Sequence, residues 1–153
     1  RVETVDIGRD FTVLLDYAHN GIALKSLMDS LREYDPERLM LMFGCGGNRD
    51  RNRRFEMGKA AMETADFIIV TSDNPRREDP GKIIEDITDV MKFCDKVILA
   101  IPDRKKAIQR AIAEGRRGDI IVGKGHETYQ IIGNETRHFD DREVILSCRE
   151  DRK

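Results

Sequence analysis

The sequence predicts an α/β domain: a mainly parallel sheet of about six strands with helices on both faces, followed by a β-hairpin near the C-terminus. Three observations carry this. Short continuous apolar runs alternate with amphipathic segments along most of the chain. The runs lack the in-out alternation of a half-exposed strand, so both faces of the sheet are covered. Toward the end, Gly133-Asn134-Glu135 stands between two strand-like segments, the pattern of a hairpin.

The elements follow in order. The run 11–15 is β-branched and apolar and predicts the first buried strand. Ile22, Leu24, Leu27, Met28 and Leu31 fall close to helical spacing. The run 39–43 is long-chain rather than β-branched, yet its length and the glycines after it favour a strand. A helix is expected over about 54–64, a strand over 67–70, and a helix from Pro80 to about Met91 with proline in the first turn. Residues 97–101 predict a strand, and Asp103 can cap the helix carrying Ala107, Ile108, Ala111 and Ile112. Residues 119–122 are the next strand. Segments 129–132 and 136–139 form the hairpin, and a helix is expected from Asp140.

Bulk properties narrow the function. The 153 residues suffice for one domain with a sizeable core, and no linker, repeat or low-complexity block divides them. Charged residues make up 37% but nearly cancel to a net −2, which disfavours a general nucleic-acid footprint. No apolar stretch approaches a membrane span and no signal-peptide pattern opens the chain. Cys45, Cys94 and Cys148 are scattered without metal-ligand spacing, which reads as reduced thiols in a cytoplasmic protein. Arg1 in place of Met suggests a piece of a longer protein.

The unusual residues follow the ends of strands. Asp16-Tyr17-Ala18-His19, residues 44–50, Asp73-Asn74-Pro75-Arg76 and residues 123–127 each come directly after an apolar run. In a parallel sheet those ends share one edge, where open α/β sheets bind ligands. Singly, each has a plainer reading: a cap, a tight turn, a turn dipeptide, or for residues 49–54 a solvated charge run. Arg77, Glu78 and Asp79 are read as a solvated lead-in to the next helix. The spacing of Gly118, Gly123 and Lys124 imitates a phosphate loop, but a strand fills it and Gly125 replaces the Ser/Thr that would meet magnesium.

The blocks "LLDYAHN", "MFGCGGNRDRNRR", "MGKAA", "ADFIIVTSDNPRREDP", "IIVGKGHETYQIIG" and "HFDDRE" resemble, in this order, the C-terminal domain of the Mur ligases, and most closely their diaminopimelate-adding branch. The resemblance covers essentially the whole chain, residues 1–153, and implies a Rossmann-like fold. It also implies that the UDP-sugar domain and the central domain, with its ATP loop and metal ligands, lie outside this chain. The implied partners are meso-diaminopimelate, ATP or ADP, and UDP-N-acetylmuramoyl dipeptide; ATP and Mg2+ belong to the full-length enzyme. Arg1, Asp16 and His19 are implied on the nucleotide side. Arg49, Asp73, Asn74, Arg76, Gly123 and Glu127 are implied on the amino-acid side, with no catalytic or metal-binding residue here and a domain silent by itself. Gly21 stands where the family usually has proline, a change expected to loosen the turn. Lysine as the amino acid, a folylpolyglutamate-synthetase relative and a non-catalytic binding module stay open as alternatives.

Overall fold

A computed structural model describes residues 2–125 and 128–149. Its elements are β1 (Val2–Val5), β2 (Thr12–Asp16), α1 (Gly21–Arg32), β3 (Leu39–Phe43), α2 (Asn52–Thr64), β4 (Phe67–Val70), α3 (Pro80–Asp89), β5 (Val97–Ala100), α4 (Arg104–Glu114), β6 (Ile120–Lys124), β7 (Tyr129–Ile132), β8 (Glu135–His138) and α5 (Asp141–Ser147). The sheet order is β1-β2-β6-β3-β4-β5, with β1 antiparallel and the rest parallel. The fold class is as the sequence predicts.

Successive strand residues point to opposite faces, and both faces are filled. Leu14, Leu41, Phe43, Ile68 and Val122 pack with Leu24 and Met28 of α1, Met57 of α2 and Ile87 of α3. Val13, Met40, Met42, Ile69 and Ile121 pack instead with Ala107, Ile108 and Ala111 of α4 and Ile145 of α5. This two-sided burial explains why the five residues of β3 are all buried and read as one apolar run.

Strand β1 escapes the pattern reading. Its first three residues are exposed and only Val5 is buried, so it carries no apolar run. Pairing with β2, from Val2 opposite Asp16 to Val5 opposite Val13, makes it a strand. The caps are more legible. Asp103 accepts from the Lys106 N–H at 3.1 Å, and Asn20 from the Ala23 N–H at 2.8 Å. Gly21 is the first residue of α1 and lies against α2, where a Cβ would stand 2.9 Å from the Glu56 carbonyl oxygen. The glycine serves helix packing there.

Connectivity places the site. From β2 the chain passes over one position to β3 and then moves outward through β4 to β5. Helix α4 returns it across the opposite face, and β6 enters between β2 and β3. Such a reversal opens a crevice at the C-terminal strand ends.

Candidate functional site

At that edge lies a cavity of about 240 Å³. His19, Arg49, Asp73, Asn74 and Arg76 line it, so segments remote in sequence do converge. Asp16 and Gly123 are not among its lining residues. Asp16 ends β2, is buried, and accepts from the Ala18 N–H at 2.7 Å. Gly123 lies in β6 between Leu15 and Met42 on the neighbouring strands. Arg1 and Glu127 fall outside the described residues.

Two loops zip together to form the cavity wall. The Gly47 N–H donates to the Asn74 carbonyl at 2.7 Å. Arg76 adopts a left-handed backbone, with φ at 53°, directly after the fixed torsion of Pro75. Its Nη1 donates to the carbonyls of Gly47 at 3.0 Å and Asn74 at 3.3 Å. Nε and Nη2 have no partner among the described residues. One corner of the guanidinium is thus anchored, and a two-donor fork remains.

The hairpin holds this loop from the other side. Arg76 N–H donates to the Ile131 carbonyl at 3.0 Å, and Gly133 N–H to the Arg76 carbonyl. Asn74 is buried, and its Oδ1 accepts from the Ile131 N–H at 2.7 Å. Part of Asn74 therefore builds the loop. Gln130 extends the seam: its Nε2 donates to the Asp73 carbonyl at 2.7 Å.

Charge is uneven in the cavity. Arg49, Arg53, Arg76, Arg104 and Lys124 line it, against Asp50, Asp73 and Asp141. Arg104 is paired with Asp141 at 2.6 Å, and Lys124 lies 3.5 Å from Asp73. The guanidiniums of Arg49, Arg53 and Arg76 make no ion pair among the described residues, so the opening favours a ligand bearing carboxylate or phosphate groups. No group of three or more His, Cys, Asp or Glu among the described residues could hold a metal ion. No helix among them is long and apolar enough to cross a membrane.

A family model described as "Mur ligase, glutamate ligase domain" matches residues 1–126. The chain belongs to the Mur ligase family. A UDP-N-acetylmuramoyl-L-alanyl-D-glutamate–2,6-diaminopimelate ligase of Solibacter usitatus is 49% identical over 146 residues, covering 94% of this chain and 30% of that protein. A solved structure of a ligase with the same name superposes with a TM-score of 0.91 at 36% identity, over 97% of this chain and 31% of that one. Folylpolyglutamate synthase of Mycobacterium tuberculosis gives a TM-score of 0.59 at 22% identity, over 80% of this chain and 28% of that one, a likeness of fold alone. The chain spans about a third of the length of these diaminopimelate ligases that it matches.

Three buried charges of this Mur ligase domain escaped the sequence reading. Arg104 is 5% exposed and donates through Nε and Nη2 to both oxygens of Asp141, at 2.7 and 2.6 Å. It also donates to the carbonyls of Ser72 and Lys124, each at 2.7 Å, and so ties the ends of β4 and β6 to α5. A signal existed: a cation in the first turn of a helix opposes the helix dipole and needs a partner. Lys124 turns inward and donates to the Gly44 carbonyl at 3.2 Å. Arg54 belongs to the supposed solvated charge run yet is 2% exposed, bonded to Glu78 at 2.6 Å and Asp86 at 2.9 Å. Asp79 likewise is no filler, since it caps α3 by accepting from the Gly81 N–H at 2.9 Å.

Cys45 lines the cavity but is no reactive thiol. Burial pushes its pKa up to about 11, against a smaller opposing pull from Lys124. At pH 7.5 the thiolate fraction is then below about one in a thousand. Iodoacetamide at that pH is expected to leave Cys45 unlabelled in the folded domain and to label it after denaturation, read by peptide mass spectrometry. Rapid labelling of the folded protein would contradict this.

Proposed function

We propose that this chain is the C-terminal, amino-acid-receiving domain of a bacterial cytoplasmic ligase that joins meso-diaminopimelate to UDP-N-acetylmuramoyl-L-alanyl-D-glutamate in peptidoglycan biosynthesis. ATP is cleaved to ADP and phosphate in the process. The observation that carries this reading is Arg76, held by one nitrogen and presenting two open donors at the cavity. A guanidinium fork matches a carboxylate, and diaminopimelate has one at its far end where lysine has none.

The other residues take complementary parts. Asp73, steadied by Lys124, and Glu127 receive the distal ammonium, and Arg49 faces the remaining carboxylate. Gly123 offers its backbone only. His19 lies at the cavity and Asp16 ends the strand that leads to it, which fits the nucleotide side together with Arg1. The γ-phosphate and Mg2+ are assigned to the remainder of the enzyme, and the isolated chain is expected to be silent. Lysine is the second reading, because it shares the same α-amino acid end.

The test is amino-acid selectivity in the full-length ligase. Wild type is expected to prefer diaminopimelate over lysine. Arg76→Ala should lower kcat/KM for diaminopimelate by about 10- to 100-fold, the scale of a charged hydrogen-bonded pair, and leave lysine use nearly unchanged. Equal use of both amino acids by wild type would overturn the assignment.

A further inference from the structure

The two loops that carry Arg49 and Arg76 are joined by a clasp outside the cavity. Glu78 Oε2 accepts from the backbone N–H of Asn48 at 2.5 Å and from Arg54 Nη2 at 2.6 Å. Asn48 adopts a left-handed backbone, with φ at 55°, and its Oδ1 accepts from the Arg77 N–H at 3.1 Å. Arg54 is itself fixed through Nη1 to Asp86 of α3, which also meets Arg51 at 3.0 Å. None of these groups lines the cavity, yet Asn48 sits between Gly47, which anchors Arg76, and Arg49.

We propose that Glu78, backed by Arg54, is a positioning residue for amino-acid binding: it locks Asn48 and so sets the spacing between the Arg49 and Arg76 guanidiniums. The proposal rests on the amino-acid role given to this cavity above. A left-handed Asn carries a conformational cost and persists where its surroundings hold it. Here the holding group is one carboxylate oxygen shared by a loop amide and a buried guanidinium. The Asn48 N–H foremost, and Arg54 with it, keep the Glu78 carboxyl below the usual range, so the clasp is ionised at neutral pH. Without it the Asn48 turn loses its charged acceptor, and Arg49 is free to move relative to Arg76. The rest of the chemistry is untouched, because Glu78 does not line the cavity.

Steady-state kinetics of the full-length ligase test this with Glu78→Ala and Glu78→Gln. Glu78→Ala is expected to raise KM for the amino acid by about tenfold or more, the scale on which ångström displacements are felt. KM for ATP should stay within about twofold. Glu78→Gln keeps an acceptor for the Asn48 amide and should recover most of the amino-acid KM. Amino-acid KM unchanged in Glu78→Ala would overturn the proposal. So would a general loss, with kcat and melting temperature falling and both KM values rising together, or a failure of Gln to restore binding better than Ala. Scoring mutant against wild type on whichever diamino acid the wild type takes separates this outcome from the choice of amino acid. If wild type prefers lysine, the selectivity reading falls while the clasp is still judged.

Discussion

Replacing Arg104 by alanine is expected to lower the stability of the domain by about 3–5 kcal/mol, because one side of a buried pair is removed and the other left charged. Asp141 is 4% exposed and loses both of its guanidinium hydrogen bonds. The carbonyls of Ser72 and Lys124 lose their donor as well. Asp141 also has little room to turn away, since it abuts Gly125. Urea unfolding followed by circular dichroism measures the loss. The double variant Arg104→Met with Asp141→Leu should recover part of it, because no orphan charge remains. A single variant within about 0.5 kcal/mol of wild type, the spread of ordinary surface substitutions, would show that the pair is not the tie it looks to be.

Gly47→Ala is expected to cost about 2–3 kcal/mol, at the upper end for overpacking, since the obstacle is backbone. A Cβ at this position collides with the Pro75 carbonyl oxygen and stands 2.6 Å from its carbon. The loops would have to part, breaking the Gly47–Asn74 bond and the anchor of Arg76. Amino-acid binding should therefore fall together with stability, unlike in Glu78→Gln. Gly81→Ala is the control. Its Cβ meets only the Asp79 carboxylate, at 3.3 Å, and the change should be nearly neutral in the same melts. Equal melting curves for the two variants would refute the close-approach argument.

Much of the fold was legible because burial wrote itself into the runs. Strands β3 and β4, buried throughout, read plainly even where the residues were long-chain. β1 did not, since an edge strand with three exposed residues owes its form to pairing. The candidate site was legible where residue type and strand end coincided, at Arg49, Asp73, Asn74 and Arg76. It was illegible where a charge works inward. Arg104, Arg54 and Glu78 look in sequence like any solvated helix start, and only partners far along the chain reveal them. The division of labour within Asn74, whose Oδ1 serves a hairpin 57 residues away, has no local signature.

The position of β6 has a consequence for how the molecule is made. Thr12 of β2 lies opposite Ile120, and Leu39 of β3 lies opposite the same residue. The first two parallel strands of this domain, in order of synthesis, therefore never touch each other. They wait for the last sheet strand, and an incomplete chain keeps an open slot in the middle of its sheet. Long-range pairing of this kind closes late and leaves strand edges bare meanwhile. The segment that ends in "GKGHE" is thus also the keystone of synthesis, and the binding edge and the finished sheet come into being together.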